Sequence, residues 1–188
     1  MFTFSQFQIQ DHLIKLAYPD EDYAAGLYEQ VVANRDEFSR WLPWATLMNS
    51  AADEAKFLAH ARAEIATNDL ILVVILVDNQ PAGMLDLHNI SALNRQGEIG
   101  YWLAAEFQGH GIMTAALLNF ADKLFTTGNF HKLLLLADQA NHKSRAVATR
   151  SGFRSVGQLK EHLFLAGKFD DAELFELVGP LPKPAEFN

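Results

Sequence analysis

The sequence contains no cysteine, and this absence excludes several kinds of chemistry at once. Without thiols the chain forms no disulfide, no thiolate-bound metal site and no cysteine nucleophile. A cysteine-free chain also fits the cytoplasm, where we expect the protein to reside. The longest apolar run, residues 70–77, is too short to span a bilayer, so no membrane partner is expected. The first residues, MFTFSQFQIQDHL, lack the basic and apolar regions of a signal peptide.

Basic residues are also scarce. The chain carries 15 Lys and Arg against 23 Asp and Glu, a net charge of −8. A nucleic-acid partner is therefore disfavoured, because nucleic-acid-binding domains usually carry a basic face. An acidic chain attracts a cationic substrate at long range, although the same charge also aids solubility. The seven histidines form neither a His-x-x-x-His nor a His-x-Glu pattern, so no metal site is expected.

The hydrophobic pattern predicts one α/β domain over residues 1–179 and a Pro-rich, disordered tail over residues 180–188. A chain of 188 residues, 49% of them hydrophobic, is long enough to bury a substantial core. Alternating or continuous apolar residues predict strands, and helical spacing predicts helices. The predicted strands are residues 12–17, 70–77, 82–88, 98–103, 132–137, 153–165 and 168–178. Residues 89–96 are predicted to form a polar loop. The predicted helices are residues 19–34, 53–65, about 112 to the turn at 127–129, and 141–151. This order predicts a mixed sheet with helices on both faces.

A turn with two glycines lies between a predicted strand and a predicted helix, in the run Gln108-Gly109-His110-Gly111. Glycines let the backbone turn sharply, and the first N–H groups of a helix have no internal partner. Such a turn can hold a phosphate group. The spacing matches neither the P-loop nor a full Gly-x-Gly-x-x-Gly. The alternative is an ordinary helix start that binds nothing.

Three ordered segments resemble the GCN5-related N-acetyltransferases. The run QGHGIM resembles their acyl-CoA pyrophosphate motif, Gln/Arg-x-x-Gly-x-Gly/Ala, with Gln108 and Gly111 matching and Met113 departing from it. The segments IGYWL and NHKSRAVATRSGF resemble the RimJ/RimL-type branch, which acetylates ribosomal-protein N-termini. The resemblance implies the acyl-CoA N-acyltransferase fold, a mixed and mostly antiparallel twisted sheet with helices on both faces. It also implies acetyl-CoA as the cofactor, no metal, and direct transfer of the acetyl group to a primary amine.

The resemblance also implies a cofactor site. Backbone N–H groups of residues 108–114 would hold the pyrophosphate, and the strand 98–103 would lie beside the pantetheine arm. Asn141 would contact that arm and Ser144 would lie near the thiol, although capping of the helix is an alternative role for both. For His110, an exposed loop position is the alternative. The full cofactor set is Tyr101, Trp102, Leu103, Gln108, Gly109, His110, Gly111, Ile112, Met113, Thr114, Asn141 and Ser144.

Two residues are catalytic candidates. Ser144 is the candidate for protonating the departing thiolate, or for donating a hydrogen bond to it. Glu98 is the candidate base, because a glutamate on this strand serves as base in some members of the family, and Glu106 is its rival. For either glutamate, a solvated surface carboxylate is the alternative. The demand on a base is modest, since an α-amino group has a pKa near ~7.7–8.0 and is partly neutral already.

The acceptor side is predicted from aromatic and acidic residues. Trp41 and Trp44 are candidates to line a groove for a peptide N-terminus, with packing of the N-terminal helices as the alternative. His88, next to Asp86 and with Glu98, is a candidate to hold a cationic amine.

Three functions remain open from the sequence. The first is acetylation of a protein N-terminal α-amine, with a ribosomal protein as the acceptor. The second is acetylation of a small amine such as a polyamine, an amino acid or an aminoglycoside. The third is a catalytically silent acyl-CoA-binding module. A homodimer is a further expectation, because the predicted final hairpin offers an exposed edge.

Overall fold

The computed structural model describes residues 3–179, which contain eight strands and five α-helices. The strands are β1 (Thr3–Ile9), β2 (His12–Ala17), β3 (Ile71–Val77), β4 (Gln80–Ser91), β5 (Gln96–Leu103), β6 (Lys132–Asp138), β7 (Arg154–Leu165) and β8 (Lys168–Val178). The α-helices are α1 (Ala24–Ala33), α2 (Arg35–Phe38), α3 (Ala51–Ala66), α4 (Ile112–Thr126) and α5 (His142–Arg150). Short 3-10 turns lie at Glu21–Tyr23, Pro43–Thr46 and Ala105–Phe107.

All eight described strands belong to one sheet, in the order β1-β2-β3-β4-β5-β6-β8-β7. Neighbouring strands are antiparallel except for β5 and β6, which are parallel. The predicted fold class, a mixed and mostly antiparallel sheet, is confirmed.

Helices cover both faces of the sheet and create two hydrophobic cores. On one face α4 packs through buried side chains that recur at helical spacing: Met113, Leu117, Phe120, Ala121 and Leu124. On the other face α1 and α3 pack against the side chains of β3, β4 and β5 that point the opposite way. Successive side chains of β4 point to opposite faces of the sheet. Leu85 therefore packs in the core under α4, and Met84 packs in the core under α1 and α3.

The sequence analysis missed β1 and placed one loop wrongly. Within β1, half-buried Phe7 and Ile9 alternate with exposed Gln6 and Gln8, so its apolar signal is weak. The loop predicted over residues 89–96 is shorter, because β4 continues to Ser91 and β5 begins at Gln96. The predicted tail over residues 180–188 lies outside the described residues.

The parallel pair at the centre of the sheet is short. β5 pairs with β6 only from Gln96 to Ile99, whereas its antiparallel pairing with β4 continues to Leu103. In the described chain, the β6 side of β5 therefore carries no ladder beyond Ile99. The backbone from Gly100 onward is left to pair with something other than a strand.

Candidate active site

A cavity of about 860 Å³ lies where β5 and β6 part. Its walls come from α2 and the turn after it, the end of β5, the start of α4, and one face of α5. Eleven of the twelve predicted cofactor residues line it, and His110 is the exception. These lining residues are Tyr101, Trp102, Leu103, Gln108, Gly109, Gly111, Ile112, Met113, Thr114, Asn141 and Ser144.

The glycine turn forms the floor of the cavity near α4. Gly111 is the N-cap residue of α4 with φ 79°, and Gly109 has φ 83°, both in the left-handed region that favours glycine. No side chain caps α4, so its first N–H groups are available to an anion. Gln108 fixes the turn by donating from Nε2 to the Leu103 carbonyl at 2.8 Å. His110 is exposed and lies outside the cavity lining, as the alternative interpretation expected.

Two cations at the rim of the cavity were missed by the sequence analysis. Lys143 donates to Glu37 Oε1 at 2.7 Å and to Gln108 Oε1 at 2.9 Å, and so bridges α5 to α2 and to the glycine turn. Arg150 Nε lies 3.4 Å from Thr114 Oγ1 in the first turn of α4. Positions 143 and 150 are seven apart and so share a helix face, a signal visible in the sequence.

The start of α5 carries the second set of predicted residues. Asn141 is the N-cap, and its Oδ1 accepts a hydrogen bond from the Ser144 backbone N–H at 3.1 Å. The capping role is therefore present in the structure. Both residues also line the cavity, together with Tyr101, Trp102 and Leu103 of β5.

Tyr101 joins β5 to α5 inside the cavity. Its Oη lies 3.0 Å from the Ser144 carbonyl oxygen and 3.0 Å from Ser144 Oγ. Burial raises the pKa of Tyr101 to about 12, against smaller opposing effects of Ser144 and Arg150. The phenol therefore keeps its proton over the physiological range.

The candidate base Glu98 lies outside the cavity lining, in a cluster with His88 and Asp86 on the α1/α3 face of the sheet. His88 and Glu98 are register partners between β4 and β5. His88 Nδ1 lies 2.6 Å from Asp86 Oδ1, and its Nε2 lies 3.6 Å from Glu98 Oε1. Hydrogen bonds to Asp86 and Glu98 raise the pKa of His88 to about 10.

The same cluster lowers the pKa of Glu98, first through the hydrogen bond from His88 and further through Asn89. A carboxylate with a depressed pKa is a weak proton acceptor. The assignment of Glu98 as the base stays a prediction, and its surroundings weaken it. Its rival Glu106 is exposed, accepts a hydrogen bond from Gln30 at 2.9 Å, and also lies outside the cavity lining.

The aromatic segment after α2 divides between the cavity and the core. Trp41 lines the cavity together with Phe38 and Leu42. Trp44 packs on Trp102 instead, with ring centroids 6.0 Å apart, and does not line the cavity. Arg35 holds this segment in place by donating to the carbonyl oxygens of residues 45 and 48. The role of Trp41 in binding the acceptor stays a prediction, whereas Trp44 has the packing position that the alternative described.

Two features are absent from residues 3–179. No helix in this range combines the length and the apolar character needed to cross a membrane. The same residues contain no cluster of three or more His, Asp or Glu side chains arranged to hold a metal ion.

The uncapped start of α4, beside a strand with one unpaired edge, is the arrangement expected of a protein that binds an acyl-CoA. Comparison with known proteins makes the class specific. The chain belongs to the family described as Acetyltransferase (GNAT) domain, whose model matches residues 14–154. It is therefore an acetyl-CoA-dependent N-acetyltransferase, as the resemblance implied.

Similar proteins support this membership over most of the chain. YdaF of Bacillus subtilis (strain 168), named as a proposed ribosomal N-acetyltransferase, is 32% identical over 180 residues, which are 95% of this chain and 96% of that protein. The ribosomal-protein-serine acetyltransferase of Escherichia coli (strain K12) is 28% identical over 163 residues, covering 84% of this chain and 88% of that protein. The structure of the microcin C7 self-immunity acetyltransferase MccE with acetyl-CoA and AMP superimposes with a TM-score of 0.87. It is 28% identical and covers 94% of this chain and 97% of that chain.

Proposed function

We propose that this chain moves the acetyl group of acetyl-CoA directly to the N-terminal α-amine of a protein, with a ribosomal protein as the acceptor. The observation that carries the proposal is the single cavity lined by the glycine turn, the unpaired edge of β5 and the start of α5. A ribosomal protein as the acceptor is supported by the two relatives named for ribosomal acetylation. Their matches cover 95% and 84% of this chain.

Acetyl-CoA, when bound, supplies a thioester whose carbonyl accepts an amine and whose sulfur departs as a thiolate. The uncapped N–H groups at the start of α4 suit its pyrophosphate, and Lys143 and Arg150 add positive charge at the rim. The unpaired backbone of β5 suits the amides of the pantetheine arm, as an added strand would. Asn141 retains its Nδ2 donor for that arm, because its Oδ1 caps α5.

Direct transfer is proposed because the chain has no cysteine to carry the acetyl group. Ser144 is proposed to stabilise the departing sulfur through its hydroxyl, which lines the cavity. Glu98 stays a candidate base. An α-amine of pKa ~7.7–8.0 supplies enough of its neutral form near pH 7.5 for binding and orientation to carry most of the rate.

The acceptor is proposed to enter beside α2. Trp41 lines this part of the cavity with Phe38, and the Glu37 carboxylate lies at the rim, where it pairs with Lys143. A free ammonium group would compete with Lys143 for that carboxylate. Trp44 and His88 stay predicted acceptor residues, each acting from outside the cavity lining.

The experiment that tests the proposal is acetyl-CoA turnover, followed by release of free thiol, with a panel of amines. The panel holds Ser- and Ala-starting ribosomal-protein peptides, Nα-blocked Lys peptides, spermidine and an aminoglycoside. The proposal predicts thiol release with the free-N-terminus peptides and a rate at least about tenfold lower with the blocked peptides. Equal rates with blocked and free peptides would refute it.

A small amine is the second candidate acceptor. The observation that favours it is the similarity to MccE, whose name connects it with microcin C7 rather than with a ribosomal protein. Preference for spermidine or the aminoglycoside in the same panel would keep the reaction and replace the acceptor. Tight binding of acetyl-CoA with no release for any amine would favour the silent binding module.

Two properties of the whole chain are also proposed. The protein acts in the cytoplasm, which its lack of cysteine and a ribosomal acceptor both suit. Two copies form a homodimer, for which β7 at the end of the sheet offers an unpaired edge.

A further inference from the structure

The Tyr101–Ser144 pair is the one hydroxyl pair that both lines the cavity and joins its two sides among the described residues. Tyr101 lies on β5 and Ser144 on α5, 43 positions apart in the chain. The phenol oxygen is 3.0 Å from the Ser144 hydroxyl oxygen and 3.0 Å from the Ser144 carbonyl oxygen. The phenol therefore has two acceptors of equal distance and only one proton to give.

Either hydroxyl can be the donor of the hydrogen bond between Tyr101 Oη and Ser144 Oγ, which gives two arrangements of hydrogen atoms for the bonded pair. In the first, the phenol donates to the Ser144 carbonyl, and the Ser144 hydroxyl donates to the phenol oxygen. In the second, the phenol donates to the Ser144 hydroxyl oxygen, and the serine proton is free to point into the cavity. Only the second arrangement offers a hydrogen-bond donor to a group bound there.

We infer that Tyr101 is a positioning residue for Ser144: by donating to Ser144 Oγ, it directs the serine proton into the cavity toward the sulfur of the cofactor. This inference rests on the proposed binding of acetyl-CoA and is independent of the acceptor. Removal of the phenol oxygen leaves the serine hydroxyl free to donate to a backbone carbonyl of its own helix instead. Tyr101 thus acts through Ser144 and needs no contact with sulfur.

Acetyl transfer changes the charge of neither Tyr101 nor Ser144. The amine nitrogen forms its bond to the acetyl carbon, the carbon–sulfur bond breaks, and its electron pair goes to sulfur. The surplus proton of the amine passes to water. Ser144 keeps its proton and donates a hydrogen bond to the sulfur anion. Tyr101 stays neutral because burial raises its pKa to about 12.

Binding of coenzyme A itself tests the inference without turnover. Calorimetry would measure the dissociation constants of CoA and of desulfo-CoA, which lacks the sulfur, from pH 6.5 to 9.5. A thiol of pKa ~8.5 is mostly ionised at the upper end of this range. We expect the wild-type preference for CoA over desulfo-CoA to increase with pH, to about tenfold at pH 9.5, because a hydrogen bond to a charged group is strong.

Three variants make the test specific: Tyr101→Phe, Ser144→Ala and the double variant. Each single variant should lose the roughly tenfold preference at pH 9.5, and the double variant should lose no more. Desulfo-CoA should bind all four proteins within about a factor of two, which also shows that the cavity is intact.

Several results would overturn the inference. In one, Tyr101→Phe weakens CoA and desulfo-CoA equally, so that Tyr101 only lines the pantetheine arm. In another, only Ser144→Ala removes the preference, so that the serine acts alone. Failure of the wild-type protein to bind either CoA or desulfo-CoA would instead refute the proposed function, and the inference with it.

Discussion

At the scale of single residues, the register between β4 and β5 decides what Glu98 can do. It places Glu98 opposite His88, whose pKa is raised to about 10. The pair is therefore charged at neutral pH, and the pKa of Glu98 is lowered. A base with this environment would need to give up its ion pair in order to accept a proton.

We predict that Glu98→Gln leaves the pH dependence of kcat/KM nearly unchanged. The acid limb should follow the acceptor α-amine, near pH ~7.7–8.0, and the plateau should fall by no more than about threefold. Initial rates with a Ser-starting peptide between pH 6 and 9 would measure both quantities. Glu106→Gln is the control, because it removes an exposed carboxylate outside the cavity lining. A loss of about 100-fold with a vanished acid limb, in Glu98→Gln alone, would establish Glu98 as the base.

Glu54 is a second residue whose surroundings determine its pKa. It lies in the first turn of α3, is 1% exposed, and its Oε1 has no hydrogen-bond partner among the described residues. Desolvation raises its pKa from 4.5 to about 7. The pKa of Glu54 is therefore higher in the folded protein than in the unfolded chain. The contribution of Glu54 to the free energy of unfolding is fully present below about pH 4.5 and is lost as the pH rises through about 7.

We therefore predict that Glu54→Gln stabilises the protein at pH 8 relative to the wild type, by up to about 3 kcal/mol. The gain should shrink toward zero at pH 5, where the wild-type carboxyl is already neutral in the fold. Urea unfolding at the two pH values would measure the difference in the free energy of unfolding. Glu29→Gln, at an exposed position of α1, is the matched control and should show no such trend. A Glu54→Gln effect that is the same at both pH values would contradict the prediction.

At the scale of elements, the start of α4 depends on Gly111. Its φ is 79°, and no atom lies within 4 Å of an added Cβ. A side chain here would therefore cost energy through backbone conformation rather than through a clash. The same conformation sets the direction of the N–H groups that suit a pyrophosphate.

We predict that Gly111→Ala lowers the free energy of unfolding by about 1–2 kcal/mol and weakens CoA binding at least about tenfold. Urea unfolding and calorimetry would measure the two effects. Gly157→Ala is the control, since position 157 also has open space for a Cβ but no positive φ. Unchanged CoA affinity in Gly111→Ala would show that the glycine turn at the start of α4 does not hold the cofactor.

Strongly periodic elements could be predicted from the sequence, whereas weakly apolar ones could not. The face of α4 and the final hairpin, residues 153–165 and 168–178, were found because their patterns are long. β1 was missed because it lies at the sheet edge with half of its side chains in solvent. α2 is a single turn and gives no periodic signal.

The parts of the site that lie within one motif could also be predicted. Residues 108–114 and the pair Asn141 and Ser144 were assigned from local resemblance, and apart from His110 they line one cavity. Contacts between distant segments could not be predicted, because they depend on the packing of elements. Lys143 and Glu37 are 106 positions apart, and their pairing follows only from where α2 ends and α5 begins.

At the scale of the whole molecule, the edge strand β7 offers backbone groups with which a second copy of the chain could pair. We predict that the protein sediments at about twice its chain mass of 21.0 kDa. Val156→Lys, at a half-exposed position of β7, should shift it to the monomer, because a charge on an edge strand opposes pairing. Val32→Lys is the control, since Val32 is equally exposed on α1. A monomeric wild type, or equal effects of both variants, would contradict a β7 dimer.

The central claim concerns the whole chain: acetyl transfer to a protein N-terminus. One reaction with acetyl-CoA tests it most directly, containing equal amounts of a Ser-starting ribosomal-protein peptide, its Nα-blocked form and spermidine. Mass spectrometry would give the ratio of acetylated products at low conversion, and hence the ratio of their kcat/KM values. The account predicts acetyl on the free peptide at least about tenfold over either competitor, at its first residue. Acetyl mainly on spermidine, or on a lysine of the blocked peptide, would contradict it.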